Sequence, residues 1–129
     1  MNEDARASSQ GWRRVFFQVG WWILIGVTGL FAVYHVVGAV AFSLSDEEQA
    51  RFIALAALQA LSVIVLLIPY RHLEWWAWWA TWIPIAALAA AGFVLLGSIG
   101  GVYLGLAAIV ALAQLVTITK FGAQASPSD

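Results

Sequence analysis

At its centre the chain reads Tyr70-Arg71-His72-Leu73-Glu74-Trp75-Trp76-Ala77-Trp78-Trp79-Ala80-Thr81-Trp82, which holds five of its eight tryptophans. Indole is large and apolar but carries one N–H donor, so tryptophan prefers the boundary between lipid and water. The basic residues before the cluster can reach phosphate groups, and the chain turns purely apolar from Ile83. This stretch therefore predicts the start of a membrane-spanning helix near Leu73.

A helical wheel divides this helix into two faces. One arc of about 100° carries Trp75, Trp78, Trp79 and Trp82. The opposite arc carries Ala77, Ala80, Pro84, Ala87 and Ala91. Small residues let helix backbones approach closely, so we predict that the alanine arc packs inside the protein and the tryptophan arc faces lipid or a partner. We assign membrane anchoring to the tryptophan arc together with Arg13, Arg14 and Arg71.

The composition favours a membrane protein. Of 129 residues, 63% are hydrophobic and 10% are charged, which is more apolar surface than a soluble domain of this length can bury. The lack of cysteine excludes disulfides, zinc–thiolate sites and thiol catalysis. A net charge of −1 argues against nucleic-acid binding. No catalytic motif is present, so we do not expect an enzyme.

Four apolar segments predict an all-α, polytopic membrane protein that forms a bundle of four transmembrane helices. A helix needs about 20 residues to cross the hydrocarbon core, and the segments span residues 15–44, 46–69, 73–96 and 102–120. Short connections predict that neighbouring helices run antiparallel. The transmembrane domain then covers residues 15–120, between a polar, basic tail at residues 1–14 and a polar tail at residues 121–129.

Local signals refine the helix ends. Ser45, followed three residues later by Glu48, has the spacing of a capping box, so the acidic cluster there is interpreted as a helix start and not as a calcium site. Pro84 predicts a kink in the third helix. Residues 97–101 read Gly-Ser-Ile-Gly-Gly and predict an uncharged turn before the fourth helix.

Basic residues are distributed unevenly between the two predicted sides of the membrane. One side carries Arg6, Arg13, Arg14, Arg71 and Lys120. The other side carries Arg51, which lies beside three acidic residues. Because cytoplasmic loops carry an excess of lysine and arginine, we predict that both termini are cytoplasmic.

His35 is the ionisable residue that lies well inside a predicted span, and such residues are functional candidates because burying them costs energy. Its helix face also carries Thr28 and Ala39, so we predict that it points toward protein. We expect a neutral histidine hydrogen-bonded to a neighbouring helix or a partner. Axial ligation of a haem or pigment, and handling of protons or substrate, are the alternatives. His72 lies at the opposite end of the bundle, so the two imidazoles cannot hold one haem.

Two further groups of residues suit helix packing. Gln59 and Gln114 are predicted to form interhelical hydrogen bonds, each contributing about 0.6 kcal/mol. On the fourth helix, Gln114 shares one face with Tyr103, Val110 and Thr117, and Gly101 and Gly105 mark another face at close-packing spacing. In a four-helix bundle, one of these two faces can easily pack against helices of the same chain. The second face therefore indicates a homo-oligomer or a larger complex.

The segment Pro69–Trp79 resembles a pattern in small bacterial four-helix membrane proteins, where a basic loop precedes Glu-x-Trp-Ala-Trp-Trp. DoxX-like proteins carry similar loops. The resemblance covers this one segment and implies a bacterial inner-membrane location. It transfers no functional residues to this chain.

Together these patterns favour a small integral membrane protein that contacts the lipid bilayer and serves as an accessory or structural subunit. Its partners would be other membrane-protein subunits or copies of itself. One alternative is a haem- or pigment-associated protein that uses His35. A second alternative, a small transporter, is opposed by the lack of visible inverted repeats and by the single ionisable residue within the spans. No cofactor is assigned.

Overall fold

The computed structural model describes residues 3–42, 45–95 and 97–124, and these are helical apart from short connections. The helices are α1 (Glu3–Ala41), α2 (Asp46–Leu67), α3 (Trp75–Ala80), α4 (Trp82–Val94) and α5 (Ser98–Gln124). Within this part of the chain, four helical segments are long and apolar enough to cross a membrane: Gly11–Ala41, Asp46–Leu67, Trp75–Val94 and Ile99–Gly122. The predicted all-α class is confirmed.

The outer helices are longer than the sequence pattern predicted. The backbone of α1 is already helical at Glu3, so the predicted N-terminal tail continues the first helix. The predicted turn at residues 97–101 is shorter, because α5 begins at Ser98 and Gly97 alone takes the left-handed conformation, with φ of +94°. Phe121, predicted to begin the polar tail, is fully buried in α5. Residues 43–44, 96 and 125–129 lie outside the described parts of the chain.

The start of α2 has the predicted capping box. The Ser45 hydroxyl accepts a hydrogen bond from the backbone N–H of Glu48, and the Glu48 carboxylate accepts one from the backbone N–H of Ser45 at 3.0 Å. The first turn holds three acidic residues, which suit the positive end of the helix dipole. One of them, Glu47, pairs with Arg51 one turn later. The acidic cluster therefore caps the helix.

The third span is interrupted at Thr81, which separates α3 from α4. Pro84 explains the position of the break, because proline lacks an N–H and its ring crowds the carbonyl four residues earlier, that of Ala80. Thr81 keeps helical dihedral angles, and its hydroxyl donates to the Ala77 carbonyl oxygen at 2.8 Å. The kink predicted from Pro84 is thus present as a helix break one turn before the proline.

Specific side-chain contacts join the helices. From the middle of α1, Trp21 Nε1 donates to the Leu66 carbonyl near the end of α2, at 2.8 Å. At the other end of the same pair, Gln49 Nε2 donates to the Ala39 carbonyl at 3.0 Å. Helix α5 packs against both α1 and α4. Helix α1 therefore lies between α2 and α5.

Close helix approaches occur at glycines that the sequence pattern did not indicate. A Cβ atom at Gly20 would lie 2.8 Å from the Ala113 carbonyl oxygen, and one at Gly92 would lie 2.7 Å from Leu104 Cγ. Among the described atoms, nothing lies within 4 Å of a Cβ added at Gly101 or Gly105. These two predicted packing glycines make no close helix contact among the described residues.

The predicted division between the alanine and tryptophan arcs is partly wrong. Trp78 is 3% exposed, whereas Trp79 is 64% exposed and Trp75 is also exposed. Ala77 is fully buried as predicted, but the other alanines of the predicted arc, Ala80, Ala87 and Ala91, are only partly buried, as is Trp82.

The buried side of this span lies between the two predicted arcs. It follows one stripe at spacings of three and four residues: Trp78, Thr81, Ile85, Leu88 and Gly92. A buried indole removes a large apolar area from solvent, provided that its N–H finds a partner. Trp78 has that partner, because its Nε1 donates to the Gln114 carbonyl of α5 at 3.3 Å. The available acceptor lets this tryptophan turn inward without leaving its N–H unpaired.

Candidate functional site

Two groups of buried side chains that include polar residues lie toward opposite ends of the described helices. The His35 cluster comprises Phe31, Tyr34 and His35 of α1 with Phe52 of α2. The Gln114 network comprises Tyr70 in the connection after α2, Trp78 of α3, and Gln114 and Thr117 of α5. We treated both as candidate sites, because buried polar groups need partners and often mark function.

His35 lies inside the bundle, as predicted, with 2% of its surface exposed. Its Nδ1 lies 2.8 Å from the carbonyl oxygen of Phe31. A carbonyl oxygen only accepts, so Nδ1 carries the proton and Nε2 carries the lone pair. The predicted bond to a neighbouring helix is not seen among the described residues; Nδ1 instead donates to the preceding turn of α1, which satisfies the imidazole N–H within its own helix.

Aromatic rings surround this imidazole. The centroid of the His35 ring lies 5.3 Å from that of Tyr34 and 5.4 Å from that of Phe52, both with edge-to-face geometry. Phe31 lies 5.8 Å away. The Phe52 ring also packs against the backbone of Gly38, where a larger residue would collide with it. These contacts fix the imidazole by packing.

A metal at His35 would need ligands from outside the described side chains. Among these, no group of three histidine, cysteine or carboxylate residues is close enough to hold a metal ion. His72 follows the end of α2, whereas Phe52 contacts His35 near the start of that helix. At 1.5 Å per residue, about 23 Å of helix separates Phe52 from the end of α2. The prediction that the two histidines cannot hold one haem is consistent with this separation.

The Gln114 network crosses three elements. The Tyr70 hydroxyl donates to Gln114 Oε1 at 2.9 Å, and Gln114 Nε2 donates to the Trp78 carbonyl at 2.7 Å. The Thr117 hydroxyl lies 2.6 Å from the Gln114 carbonyl and also contacts the Tyr70 hydroxyl. Tyr70, Gln114 and Thr117 are fully buried. The interhelical hydrogen bonds predicted for Gln114 are confirmed; that for Gln59, which is also buried, stays a prediction.

The two hydroxyl protons of this network are fully used. Tyr70 gives its proton to Gln114 Oε1, and Thr117 gives its own to the Gln114 carbonyl or to the Tyr70 oxygen. Tyr70 lies between the predicted spans, and burial raises the pKa of its phenol well above the ordinary value, although the bond to Thr117 acts in the opposite direction. The phenol is therefore a neutral donor, and the network holds the connection to α5 instead of activating a proton.

Aromatic rings pack beneath the network at this end of the molecule, and two cations lie against aromatic rings there. The Tyr70 ring packs against Phe17 and Phe121, with centroid distances of 6.1 and 5.0 Å. Lys120 Nζ lies 4.9 Å from the centroid of the Phe17 ring, and the Arg71 guanidinium lies 5.8 Å from that of Trp21. Both distances are within the range of cation–π attraction. Aromatic faces thus position the cations of this end.

Sequence reasoning placed Gln114 and Thr117 on one face but missed Tyr70 as their partner. Tyr70 precedes a basic residue in a loop, and no periodic pattern there indicates burial. The inward orientation of Trp78 was missed because five tryptophans close together suggested one interfacial role. In Trp82 the indole Nε1 is buried without a hydrogen-bond partner among the described atoms.

Comparison of the chain with protein-family models, curated proteins and solved structures gave no match. The resemblance to DoxX-like loops therefore stays a prediction.

Proposed function

We propose that this protein is an integral membrane protein of the bacterial inner membrane, with four antiparallel spans and both termini in the cytoplasm. Three observations support the proposal. Four segments have the length and hydropathy of a span. The bonds from Trp21 to Leu66 and from Gln49 to Ala39 pair the middle of α1 with the end of α2, and the end of α1 with the start of α2. Arg71 and Lys120 lie at one end of the bundle, where the positive-inside rule places the cytoplasm.

We further infer that it serves as an accessory or structural subunit, which packs against a second copy or another membrane protein. The observation that carries this inference is the contrast between two faces of α5. The face with Val110, Gln114 and Thr117 is buried within the chain. The face with Gly101 and Gly105 is exposed and has open space above both glycines in the described structure.

Open glycines on a membrane helix allow a second helix to approach its backbone closely. Ala108 and Leu112 continue the same exposed face at spacings of three and four residues. The face is therefore long enough for a crossing helix, and it carries no charge that a lipid-embedded contact would have to bury. We call it the α5 open face, defined by Gly101, Gly105, Ala108 and Leu112.

Site-specific photo-crosslinking in the native membrane tests this proposal. A photoreactive residue at Leu112 should form an adduct with a second copy or another membrane protein. The same residue at Ile64, which is similarly exposed on α2, is the matched control and should react mainly with lipid. Gly105→Leu should suppress the Leu112 adduct by filling the open face. Equal protein adducts at Leu112 and Ile64, or none at either, would contradict the subunit role.

The topology is tested separately with single cysteines, since the chain has none of its own. On intact cells, an impermeant thiol reagent should label a cysteine at Glu47 and should not label one at Ser8. The reverse pattern would overturn the proposed orientation while leaving the subunit role to the crosslinking result.

One observation favours the alternative function, a bound haem or pigment at His35. The bond to Phe31 leaves Nε2 as the nitrogen with the lone pair, which is the form that ligates a metal. An absorption spectrum of the protein purified from its native membrane decides this alternative. A Soret-type band that depends on His35 would support it, and a colourless sample that still crosslinks at Leu112 would favour the structural role.

A further inference from the structure

An apolar groove of about 300 Å³ runs between α1 and α5 on the outside of the molecule. We call it the α1–α5 groove; its walls include Phe16, Gly20, Ile23, Ile109, Ala113 and Val116. Its floor is tight, because the backbones approach at Gly20 and Ala113. Its walls are open to the surroundings, with Phe16 50% exposed and Val116 39% exposed. The groove has the form of a channel for one extended apolar chain.

Each wall of this groove ends in a cation. On α1, Arg13 precedes Phe16 by three residues, and on α5, Lys120 follows Val116 by four. These spacings place each cation next to its wall, one turn further along the helix.

Both cations lie at the same end of the groove. The Gly20 position on α1 is in contact with Ala113 and Thr117 on α5. One turn earlier on α1, Phe17 lies near Phe121, which is one turn later on α5. Moving toward Arg13 on α1 therefore corresponds to moving toward Lys120 on α5. Lys120 Nζ lies above the ring of Phe17, which is one turn from Arg13.

Carboxylates do not neutralise this pair in the described structure. The ion pair found among the described side chains joins Arg51 to Glu47 at the start of α2, beyond the far end of the groove. Arg13 is exposed, and Lys120 is half-buried against an aromatic face. An apolar channel that ends in two such cations is complementary to a molecule with one anionic head and an apolar tail.

We propose that the α1–α5 groove binds one anionic phospholipid, with its phosphate between Arg13 and Lys120 and an acyl chain along the groove. The inference relies on the proposed function in one respect, the placement of the chain in a bilayer. An apolar groove alone would accept an acyl chain of any lipid. The two cations select a negative headgroup, as basic pockets between membrane helices do on the cytoplasmic side.

Native mass spectrometry of the full chain tests this site. The protein is released from detergent in the presence of equal amounts of phosphatidylglycerol and phosphatidylcholine with the same acyl chains. The wild type should retain phosphatidylglycerol preferentially. Because one cation near an anionic surface contributes about a fivefold preference, Arg13→Gln and Lys120→Gln should each lower the ratio of retained lipids about fivefold.

Arg14→Gln is the matched control. It removes the same charge from the next residue, which lies about 100° further round the helix, on the side away from the groove. This variant should keep the wild-type ratio. Equal effects of Arg13→Gln and Arg14→Gln would show attraction to the surface in general and would overturn the site, as would equal retention of both lipids by the wild type.

A second variant tests the apolar part of the site. Val116→Trp fills the groove from an exposed position and should lower retention of both lipids while the helical circular dichroism is unchanged. Inorganic phosphate should not displace phosphatidylglycerol; displacement would show a headgroup site without a groove and would overturn the proposal. Leu112 lines this groove as well as the α5 open face, so the subunit role is followed in these variants by a photoreactive residue at Ala108, which does not line the groove. None of these outcomes changes the protein adduct expected at Ala108, so failure of the lipid site is distinguishable from failure of the subunit role.

Discussion

The two ends of this bundle satisfy buried polar groups in different ways. In the Gln114 network, side chains from the connection, α3 and α5 bond to one another across helices. In the His35 cluster, the imidazole bonds to its own helix, and its contacts with α2 are the edges of aromatic rings. The first end is joined by hydrogen bonds that cross helices, and the second by packing around a group already satisfied.

This difference distinguishes two roles that a buried polar residue can have in a long apolar helix. A side chain that bonds across helices specifies which helices meet and at what register, since removal of one partner leaves another buried group unsatisfied. A side chain that bonds to its own preceding turn constrains neither the choice of neighbouring helix nor the register between the two helices. We therefore expect variants in the Gln114 network to destabilise the protein far more than variants at His35, and the following predictions test that ranking.

The largest effect is expected at Trp78. Trp78→Ala removes a buried indole and its bond to Gln114, so the free energy of unfolding should fall by about 3–5 kcal/mol. Trp79→Ala is the matched control, because the same change at the 64% exposed neighbour should stay within about 0.5 kcal/mol. Thermal unfolding in mild detergent, followed by circular dichroism, measures both. Similar losses for the two variants would mean that the tryptophan arc faces one environment throughout.

Gln114→Leu should have the next largest effect. It removes the Oε1 acceptor of the Tyr70 hydroxyl, which keeps its contact with Thr117, and it removes the donor to the Trp78 carbonyl. One unsatisfied buried group costs about 1–3 kcal/mol. Gln18→Leu on the exposed side of α1 removes the same amide and should be neutral in the same unfolding assay. If Gln114→Leu were as stable as Gln18→Leu, the network would add no stability and the contrast between the two ends would fail.

The stability that the network contributes should depend on pH in the alkaline range, because Tyr70 is part of the network. An unfolded tyrosine has a pKa of about 10, and burial raises the pKa of Tyr70 in the folded protein. Below pH 10 both states hold the proton and the stabilisation is complete. Above pH 10 only the unfolded state releases it, so by pH 11 the folded state loses about 1.4 kcal/mol.

Tyr70→Phe isolates this contribution, because it removes the titrating group and leaves the other two tyrosines and the single lysine, Lys120, unchanged. The melting temperature of the wild type should fall more steeply between pH 9 and pH 11 than that of the variant. Parallel curves for the two proteins would show that the Tyr70 phenol is not buried as a neutral donor.

Much of the fold follows from sequence because local chemistry fixes it. The capping box at Ser45 and the break caused by Pro84 depend on neighbours in sequence, and both are present. The choice of packing faces depends on partners far along the chain. Trp78 turns inward because an acceptor at Gln114 is available, and helical periodicity contains no information about that acceptor.

The packing glycines likewise could not be predicted from sequence spacing alone. Gly101 and Gly105 have the spacing that predicts close packing, yet the close approaches within the chain use Gly20 and Gly92. The spacing of small residues identifies where a helix backbone can be approached closely. Which of these positions is actually approached depends on the partner helix. For the same reason the burial of His35 was predictable from its small-residue face, whereas its bond to Phe31 was not.

The smallest effect is expected at His35. His35→Gln keeps an amide donor in place of the imidazole N–H, and the bond that it replaces lies within one helix. Because hydrogen bonds between side chains in membrane proteins contribute about 0.6 kcal/mol on average, the free energy of unfolding should change by less than this amount.

Glutamine usually does not ligate haem iron, so the variant also separates a structural role of His35 from pigment binding. Wild type and variant should be purified side by side from the native membrane, with unfolding and the absorption spectrum measured on each sample. A loss of stability as large as that of Gln114→Leu would show that His35 holds helices together and would remove the contrast between the two ends. A Soret-type band in the wild type that the variant lacks would instead assign the aromatic rings around His35 to the support of a bound tetrapyrrole.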